Sequence, residues 1–306
     1  MSAAIVLPTG MRVFERGWLS SNNILFTGDD GSALVDSGYQ THAEQTLALV
    51  AQALDGRPLD WLINTHLHSD HCGGNAALQA RYHCRTTIPA SEAAAVAAWD
   101  EDALTYAATG QQCARFGFDD TLAGGDTLRL GGREWQALAA PGHDPHSLVL
   151  YCRSERILIS ADALWENGFG VIFPELDGES GFAETRATLE LIAGLDIDLV
   201  IPGHGAPFTE IGRALDTAFA RLEYLVADPR RNAQNVVKVL LKFLLLERQA
   251  LPLAGLPRLL AGIQLFGKAN RRYLHMSDDE LAQWAVHQLL RADAAAIEAG
   301  MLVNRN

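Results

Sequence analysis

Three histidines and one aspartate lie within six consecutive positions of the chain, in the motif HLHSDH at residues 66–71. Neutral imidazoles placed close to a carboxylate do not improve the packing of a protein core. Imidazole nitrogens and carboxylate oxygens are, however, good ligands for divalent cations. The motif follows an apolar run at residues 60–64 that predicts a short buried strand, and it precedes a Gly-Gly turn at residues 73–74 that leads into a predicted helix. The sequence therefore predicts a metal-binding loop at the end of a strand.

The spacing within the motif indicates two metal ions rather than one. His66 and His68 are two positions apart, so an extended backbone directs both side chains to the same side. Asp70 and His71 are adjacent, and their side chains diverge, which allows them to face a second centre. Because one ion rarely takes four ligands from six residues, we expect two neighbouring ions.

Three further side chains of the metal-binding type each follow a strand-like run and lie in a turn of small residues. They are His143 in the segment PGH, Asp162 in the segment SAD and His204 in the segment PGHG. Side chains at the ends of strands can converge on one point from a rigid base. We therefore expect these three residues to complete the dinuclear site.

The order HxHxDH, PGH, a strand-end Asp and PGHG resembles the metallo-β-lactamase superfamily. Two upstream segments agree, because LVDSG at residues 34–38 is similar to the family's Asp-Ser/Thr-Gly turn and SNNIL at residues 21–25 is similar to its first Asn-containing strand. The resemblance covers roughly residues 10–225. It implies an α/β fold of the αββα four-layer sandwich type, whereas the periodicity alone indicates only a mixture of helices and strands.

The resemblance also implies a set of ligands when it is carried over position by position. The first ion would be held by His66, His68 and His143, the second by Asp70, His71 and His204, and Asp162 would bridge the two. Asp36 matches a position near the site that is not a ligand, which implies that it orients one. Zinc suits this mixed nitrogen and oxygen donor set best, and iron and manganese are compatible with it.

Such a site implies a particular chemistry. Two close cations lower the pKa of a shared water towards neutrality, which supplies a hydroxide nucleophile, and one of them polarises the bond under attack. Asp162 is expected to fix the spacing of the metals, and Asp70 is expected to orient the hydroxide or pass a proton to the departing group. We therefore expect an enzyme, a dinuclear metallohydrolase of a small molecule, with these two aspartates as its catalytic residues.

The residue at position 162 narrows the choice of substrate. The true β-lactamases carry Cys or Ser where this chain has Asp162, which disfavours amide hydrolysis of that type but keeps it as one alternative. A bridging carboxylate resembles the glyoxalase II, lactonase and phosphodiesterase branches. We expect hydrolysis of a carboxylic ester, thioester or lactone. An iron-dependent sulfur or oxygen redox enzyme, similar to the persulfide dioxygenases, is the alternative from a different class.

Charge and composition change near Pro229. Residues 230–306 hold 11 Lys+Arg and 6 Asp+Glu, although the whole chain has a net charge of −13. The strand pattern is lost here, apolar residues take helical spacing at residues 232–249, and Ser277 begins a helix with acidic residues in its first turn. The sequence therefore predicts a catalytic domain at residues 1–228 and a helical extension at residues 229–306.

The role of the extension stays open at this stage. It is expected to be a cap over the core, a homodimer contact or a small winged-helix-like module. The Leu-rich segment 253–265 is a candidate lid over the site, and ordinary core packing is the default expectation for it. Three aromatic residues after the bridging aspartate, Trp165, Phe169 and Phe173, have two interpretations. They either form an apolar wall for the acyl group or anchor their loop to the core.

The cysteine spacing, hydropathy and charge of the chain restrict its binding partners and its cellular location. The four cysteines, at positions 72, 84, 113 and 152, lack the spacing of metal sites or disulfide frameworks, which predicts reduced thiols and a cytoplasmic protein. No apolar run approaches the ~20 residues of a membrane span, so no membrane partner is expected. The acidic body would repel nucleic acid, and the basic excess of the extension is too modest to offset that repulsion.

Overall fold

The structure of the protein, a computed structural model, describes residues 5–305. Two β-sheets stack face to face, and helices cover the outer face of each sheet. The interface between the sheets is a continuous apolar cluster, in which the Phe26 ring lies edge-on to Trp135 with their centroids 5.3 Å apart. The predicted αββα sandwich is therefore confirmed.

The first sheet contains six strands that neighbour one another in chain order. They are β1 (Met11–Phe14), β2 (Asn23–Gly28), β3 (Gly31–Val35), β4 (Trp61–Ile63), β5 (Arg85–Pro89) and β6 (Asp120–Leu122). The first three pair antiparallel, and β3 to β6 pair parallel. Because parallel strands have their carboxyl ends at one edge, the loops after β3 and β4 emerge side by side, and the histidine motif follows β4.

Helices cover the outer face of this sheet and connect its parallel strands. They are α1 (Ala43–Leu54), α2 (Ser69–Cys72), α3 (Asn75–Tyr82), α4 (Ala93–Ala98) and α5 (Tyr106–Thr109), with 3-10 turns at Gln40–His42 and Ala90–Glu92. The apolar stripe of α1 buries Val50 and Leu54 against Leu34 and Leu62 of the sheet. Helix α1 therefore covers the outer face of the sheet at the strands from which the loops of the site emerge.

The second sheet contains five strands in the order β11-β10-β9-β8-β7. Their bounds are β7 (Thr127–Leu130), β8 (Arg133–Ala139), β9 (Leu148–Cys152), β10 (Ile157–Ala161) and β11 (Leu199–Pro202), and the helices outside them are α6 (Pro174–Asp177), α7 (Phe182–Ala193) and α8 (Ile211–Val226). Only β10 and β11 pair in parallel. Their carboxyl ends therefore lie together, which brings the turns at residues 162 and 204 close to each other.

The C-terminal part is mainly helical, as predicted, and the structure adds a small sheet. Its elements are α9 (Arg230–Arg248), β12 (Ala250–Pro252), α10 (Leu256–Ala261), α11 (Gln264–Ala269), α12 (Asp278–Arg291), β13 (Ala295–Glu298) and β14 (Met301–Asn304), with a 3-10 turn at Leu253–Gly255 and a π-helical turn at Asn270–Leu274. Ser277 begins α12 with a capping box formed with Glu280, as its sequence predicts. The three short strands pair antiparallel in the order β12-β14-β13. The sequence does not predict these strands, because a run of three or four residues is too short to show alternation of apolar and polar side chains.

The longest helix is α9, with 19 residues, and Lys238 and Lys242 interrupt its apolar face. Neither α9 nor any other helix within residues 5–305 combines the length and the apolar character that crossing a bilayer requires.

Candidate metal centre

The fold brings the seven predicted ligands together from four places in the chain. His66, His68, Asp70 and His71 follow β4, while His143 follows β8, Asp162 follows β10 and His204 follows β11. Their nitrogen and oxygen atoms form three overlapping groups, and within each group the ligand atoms lie within 4.8 Å of one another. The parallel strand ends of both sheets therefore meet at this one point, while the role of each side chain as a ligand stays a prediction.

The first group consists of three imidazole nitrogens. The Nδ1 atom of His68 lies 3.2 Å from Nε2 of His66 and 2.8 Å from Nε2 of His143. Zinc bonds of ~2.0–2.1 Å in a tetrahedral arrangement put neighbouring nitrogens about 3.3 Å apart, so this spacing fits one small cation. Burial, followed by the charges of neighbouring histidines, lowers the pKa of His66 well below its usual value, and burial also lowers the pKa of His143 to about 4. Both rings therefore favour the neutral form that binds metals.

The second group combines Asp70, His71 and His204. Oδ2 of Asp70 lies 3.1 Å from Nε2 of His204. Nε2 of His71 is buried and has no hydrogen-bond partner among residues 5–305, although it lies 3.4 Å from Oδ1 of Asp162. A buried imidazole nitrogen that points at carboxylate oxygens without a hydrogen bond is costly unless something else satisfies it. A cation between these atoms would satisfy it, so the second group also fits a metal ion.

Asp162 directs one oxygen atom towards each group. Its Oδ2 lies 3.4 Å from Nε2 of His143, and its Oδ1 lies 3.4 Å from Nε2 of His71 and 3.9 Å from Nε2 of His204. Burial alone would raise the pKa of Asp162, but the imidazoles of His71 and His204 outweigh burial and hold this pKa well below its usual range. The side chain is therefore an ionised carboxylate in the position of a bridge.

Gly203 is required beside this bridge. A Cβ atom at position 203 would overlap the Asp162 carboxylate and would come within 2.9 Å of Cε1 of His71. Neither neighbour can move away without displacing a candidate ligand. The first glycine of the PGHG motif thus allows the turn after β11 to lie close to the candidate ligands.

Asp36 lies directly behind the candidate ligands, at the end of β3. Its carboxylate accepts hydrogen bonds from Nδ1 of His71 at 2.8 Å, from the Thr65 backbone N–H at 2.9 Å and from the Thr65 hydroxyl at 2.8 Å. Its backbone is left-handed, with φ of 57°, a conformation that aspartate and asparagine tolerate better than most residues. These contacts fix the His71 ring with Nε2 facing the site, which agrees with the role that the resemblance implied for Asp36.

Two further contacts orient histidines of the first group, and the sequence did not reveal either one. Nε2 of His68 lies 3.3 Å from Oδ2 of Asp144, and Nδ1 of His143 donates to the backbone carbonyl of Val171. Asp144 directly follows the PGH motif, and that adjacency is the only signal that points to it. The Val171 carbonyl belongs to the backbone, so the side chain at position 171 does not indicate this contact in the sequence.

We expect the substitution Asp36→Asn to weaken metal binding by about 10- to 100-fold, because it removes the charge that orients His71 but keeps the side-chain shape and tolerates the left-handed backbone. Competition against a chromophoric chelator would measure the affinity. The matched control is Asp60→Asn, whose carboxylate accepts a hydrogen bond from the Ser32 backbone N–H at 2.8 Å away from the site. If both variants lost affinity equally, general loosening of the sheet rather than orientation of His71 would be the cause.

A cavity with mainly apolar walls lies over the candidate ligands. Its apolar lining includes Trp18, Trp165, Phe173, Val239, Leu240 and Phe243. The Trp18 ring is stacked on His204 with centroids 5.3 Å apart and planes 9° apart, and the Phe173 ring lies edge-on to His68 at 5.4 Å. Trp165 and Phe173 thus form part of a wall, as one of the two interpretations predicts. Phe169 instead is buried beneath the Arg221 guanidinium, 4.9 Å away, and anchors the loop.

The C-terminal extension closes one side of this cavity through α9, which supplies three of the lining side chains. The Leu-rich segment 253–265 is not part of the described lining, and it buries Leu256, Leu260 and Leu265 in the apolar cluster of the extension. This segment therefore packs in the core, as the default expectation has it, rather than over the site. The approach of α9 and Trp18 to the site depends on tertiary packing, which no local pattern in the sequence reveals.

The family model described as "Metallo-beta-lactamase superfamily" matches residues 16–204. A hydroxyacylglutathione hydrolase from Acidiphilium cryptum is 30% identical over 169 residues, which is 55% of this chain and 59% of that protein. Another from Rhodopseudomonas palustris is 32% identical over 125 residues, which is 41% of this chain and 42% of that protein. These matches thus span less than two thirds of either relative. The hydroxyacylglutathione hydrolase GloC from Haemophilus influenzae is 27% identical over 62% of this chain and 87% of its own length.

Solved structures share the fold. A beta-lactamase domain protein from Burkholderia ambifaria is similar with a TM-score of 0.60 and 20% identity, over 98% of this chain and 94% of that one. A metallo-beta-lactamase family protein from Thermus thermophilus has a TM-score of 0.56 and 18% identity, over 98% of this chain and all of that one. The family match, the sandwich and the His/Asp cluster agree with one another. The chain belongs to the metallo-beta-lactamase superfamily.

Proposed function

We propose that the protein is a dinuclear, zinc-dependent hydrolase of carboxylic thioesters. The observation that supports two metal ions is the Asp162 carboxylate, which directs one oxygen to each of two groups of candidate ligands. The names of the relatives support the substrate class, because hydroxyacylglutathione is an acyl group joined to the thiol of glutathione. The imidazole and carboxylate donor set, with nitrogens spaced for a tetrahedral ion, supports zinc.

In this proposal His66, His68 and His143 would hold the first metal ion, Asp70, His71 and His204 would hold the second, and Asp162 would be shared by both. When bound, such ions polarise a carbonyl oxygen and lower the pKa of water towards neutrality. Asp36, Asp144 and the Val171 carbonyl hold three of the imidazoles in place. The ligand set is therefore rigid before the substrate arrives.

Asp70 has the position of a proton carrier. It lines the cavity, its Oδ2 atom faces His204, and its other oxygen atom is available to the attacking water. Burial would raise the pKa of Asp70, but the hydrogen bond with His204 and the neighbouring imidazoles outweigh burial and lower this pKa, so the group is a carboxylate. It can accept a proton from the water and pass it to the departing sulfur. A thiol of pKa about 8.5 leaves with little help, which favours thioesters over amides at this site.

The apolar walls favour an apolar acyl group next to the reacting carbon, and they exclude bulk water. The cavity over the ligands has a volume of about 90 Å³. Pockets that enclose a whole small-molecule ligand measure roughly 300 Å³ or more, so only the reacting end of the substrate fits inside. The remainder of the substrate extends out of this cavity along the protein.

We also propose that the chain divides at residues 228–229 into a catalytic domain and a C-terminal cap. An apolar cluster built mainly from residues 233–302 supports a unit with its own core, and it includes Ala108, Val171 and Leu176 of the catalytic domain, against which this unit packs. The contribution of α9 to the cavity lining supports its role as a cap. The gap between α8, which ends at Val226, and α9, which begins at Arg230, is consistent with that boundary.

A panel of substrates tests the proposed function. We expect zinc-loaded protein to hydrolyse acyl thioesters with a higher kcat/KM than matched oxoesters, lactones, β-lactams or phosphodiesters. Activity should disappear after dialysis against a chelator and return with two equivalents of zinc. Elemental analysis of protein purified without added metal would establish the resident ion. Turnover confined to phosphodiesters, or iron accompanied by oxygen uptake, would contradict the proposal.

A further inference from the structure

Two of the four free cysteines lie against each other beside the histidine motif. The Sγ atom of Cys72 is 3.8 Å from the Sγ atom of Cys113, although the two residues are 41 positions apart in the chain. Cys72 is the last residue of α2 and directly follows His71. Cys113 lies between α5 and β6, in a segment without helix or strand. A disulfide bond is about 2.05 Å long, so the two sulfur atoms need to approach each other by only about 1.8 Å.

The two thiols differ in their access to solvent. Cys72 is completely buried, whereas Cys113 is partly exposed. Redox-sensing cysteines combine an accessible thiol, which reacts with an oxidant, with a neighbouring thiol that resolves the product. Here the Cys113 sulfur would attack a hydroperoxide, break its O–O bond and become a sulfenic acid, with release of water or an alcohol. The Cys72 sulfur would then displace the sulfenic oxygen as a second water, which leaves a disulfide and a reduced peroxide.

The sulfur of Cys72 is fixed in place. Its S–H donates to the Leu67 carbonyl at 3.3 Å, and the buried Tyr106 hydroxyl lies 3.1 Å from the same sulfur. A Cβ atom at position 73 would come within 2.4 Å of a backbone nitrogen in the 3-10 turn after β3, so the end of α2 packs there without spare space. The segment that carries Cys113 therefore has to move when the disulfide forms.

Movement at Cys113 would reach the histidine motif through Gln111. This glutamine lines the cavity over the candidate ligands, and its side-chain oxygen accepts a hydrogen bond from the Ser69 hydroxyl. A displacement of about 1.8 Å is more than that hydrogen bond tolerates. The disulfide also removes the S–H group that donates to the Leu67 carbonyl. Both lost contacts belong to residues that lie between the predicted ligands of the motif at residues 66–71.

We propose that Cys72 and Cys113 form a redox modification site, which hydroperoxides convert to a disulfide, and that this disulfide weakens metal binding by the histidine motif. The dithiol is the form that retains metal, in agreement with the reduced thiols that the sequence predicts. A reductant reverses the modification by thiol–disulfide exchange. The inference concerns the ligand loop alone and does not depend on the substrate of the enzyme.

The test treats zinc-loaded protein with hydrogen peroxide and measures the disulfide and the metal affinity separately. We expect the intact chain to become about 2 Da lighter, and peptide mapping after alkylation with iodoacetamide to show a crosslink between Cys72 and Cys113. Competition against a chromophoric chelator should show a zinc affinity about tenfold lower than that of the reduced protein. Reduction with tris(2-carboxyethyl)phosphine, followed by gel filtration, should restore the affinity.

The variant Cys113→Ser keeps the size of a partly exposed side chain but cannot form the crosslink, so its zinc affinity should equal that of the reduced protein before and after peroxide. Cys84→Ser is the matched control, because it makes the same change at a buried thiol in the cluster outside the first sheet, and it should keep the crosslink and the loss of affinity. Two alkylated thiols after peroxide, or a crosslink with unchanged zinc affinity, would overturn the proposal. An equal loss of affinity in peroxide-treated Cys113→Ser would also overturn it, because the peroxide would then act on other side chains of the site.

Discussion

Replacing Asp162 with asparagine is expected to lower kcat by at least about a thousandfold and to reduce the metal content from two ions per chain to one or fewer. The amide has the size of the carboxylate and can still accept the hydrogen bond that Trp165 donates at 3.2 Å. It lacks the negative charge that lies 3.4 Å from His71 on one side and 3.4 Å from His143 on the other. Both groups of candidate ligands therefore lose their shared carboxylate at once. Elemental analysis and steady-state kinetics on the same preparations measure the two effects.

The matched control for this variant is Asp144→Asn, which makes the same chemical change at a carboxylate that lies 3.3 Å from the outer nitrogen of His68 and accepts a hydrogen bond from the His146 backbone N–H at 2.7 Å. We expect it to weaken metal binding by about 10- to 100-fold, with two ions still bound at saturating zinc. If Asp162→Asn retained two ions and wild-type turnover, the bridging role of this residue would be refuted. If both variants behaved alike, loss of negative charge near the site, rather than bridging, would explain the result.

Much of the catalytic domain could be predicted because its signals are local. Glycine turns and strand-like runs predict strand ends, and the resemblance of six short segments to the family implies how those ends meet. The strand that ends at Ile63 was predicted to within one residue at each end. The seven candidate ligands could be named since a strand end fixes where a side chain points, and these ends share one edge of each sheet.

The substrate-binding surroundings could not be predicted, because they depend on contacts between distant parts of the chain. Trp18 reaches His204 across almost two hundred positions, and Val239 reaches the same cavity from α9. Neither residue has a distinctive neighbour in the sequence: Trp18 follows a glycine, and Val239 is one of many apolar residues on an amphipathic helix. Helical periodicity gives the buried face of α9 but not the surface that this face covers.

Replacing Phe243 with alanine is expected to lower the free energy of unfolding by about 3 kcal/mol, because a nearly buried ring is removed where α9 packs on the catalytic domain. The ring lies edge-on to Tyr39 with centroids 5.1 Å apart, and the Tyr39 hydroxyl accepts a hydrogen bond from the Gln112 backbone N–H at 3.1 Å. Urea unfolding of the zinc-loaded protein would measure the change. The variant Phe243→Leu keeps most of the apolar volume and should cost less than about 1.5 kcal/mol.

The same substitution should affect catalysis, since the Phe243 ring lines both the cavity over the candidate ligands and a neighbouring cavity beside α9. Its removal takes away part of the apolar lining and admits water to the cavity over the candidate ligands, so we expect kcat/KM for thioesters to fall about tenfold under conditions in which the variant is folded. The metal content should not change, because Phe243 is not among the candidate ligands. Wild-type kcat/KM in a destabilised Phe243→Ala protein would mean that α9 only packs on the catalytic domain. A loss of turnover with full metal content would mean that the C-terminal extension shapes the site that it covers.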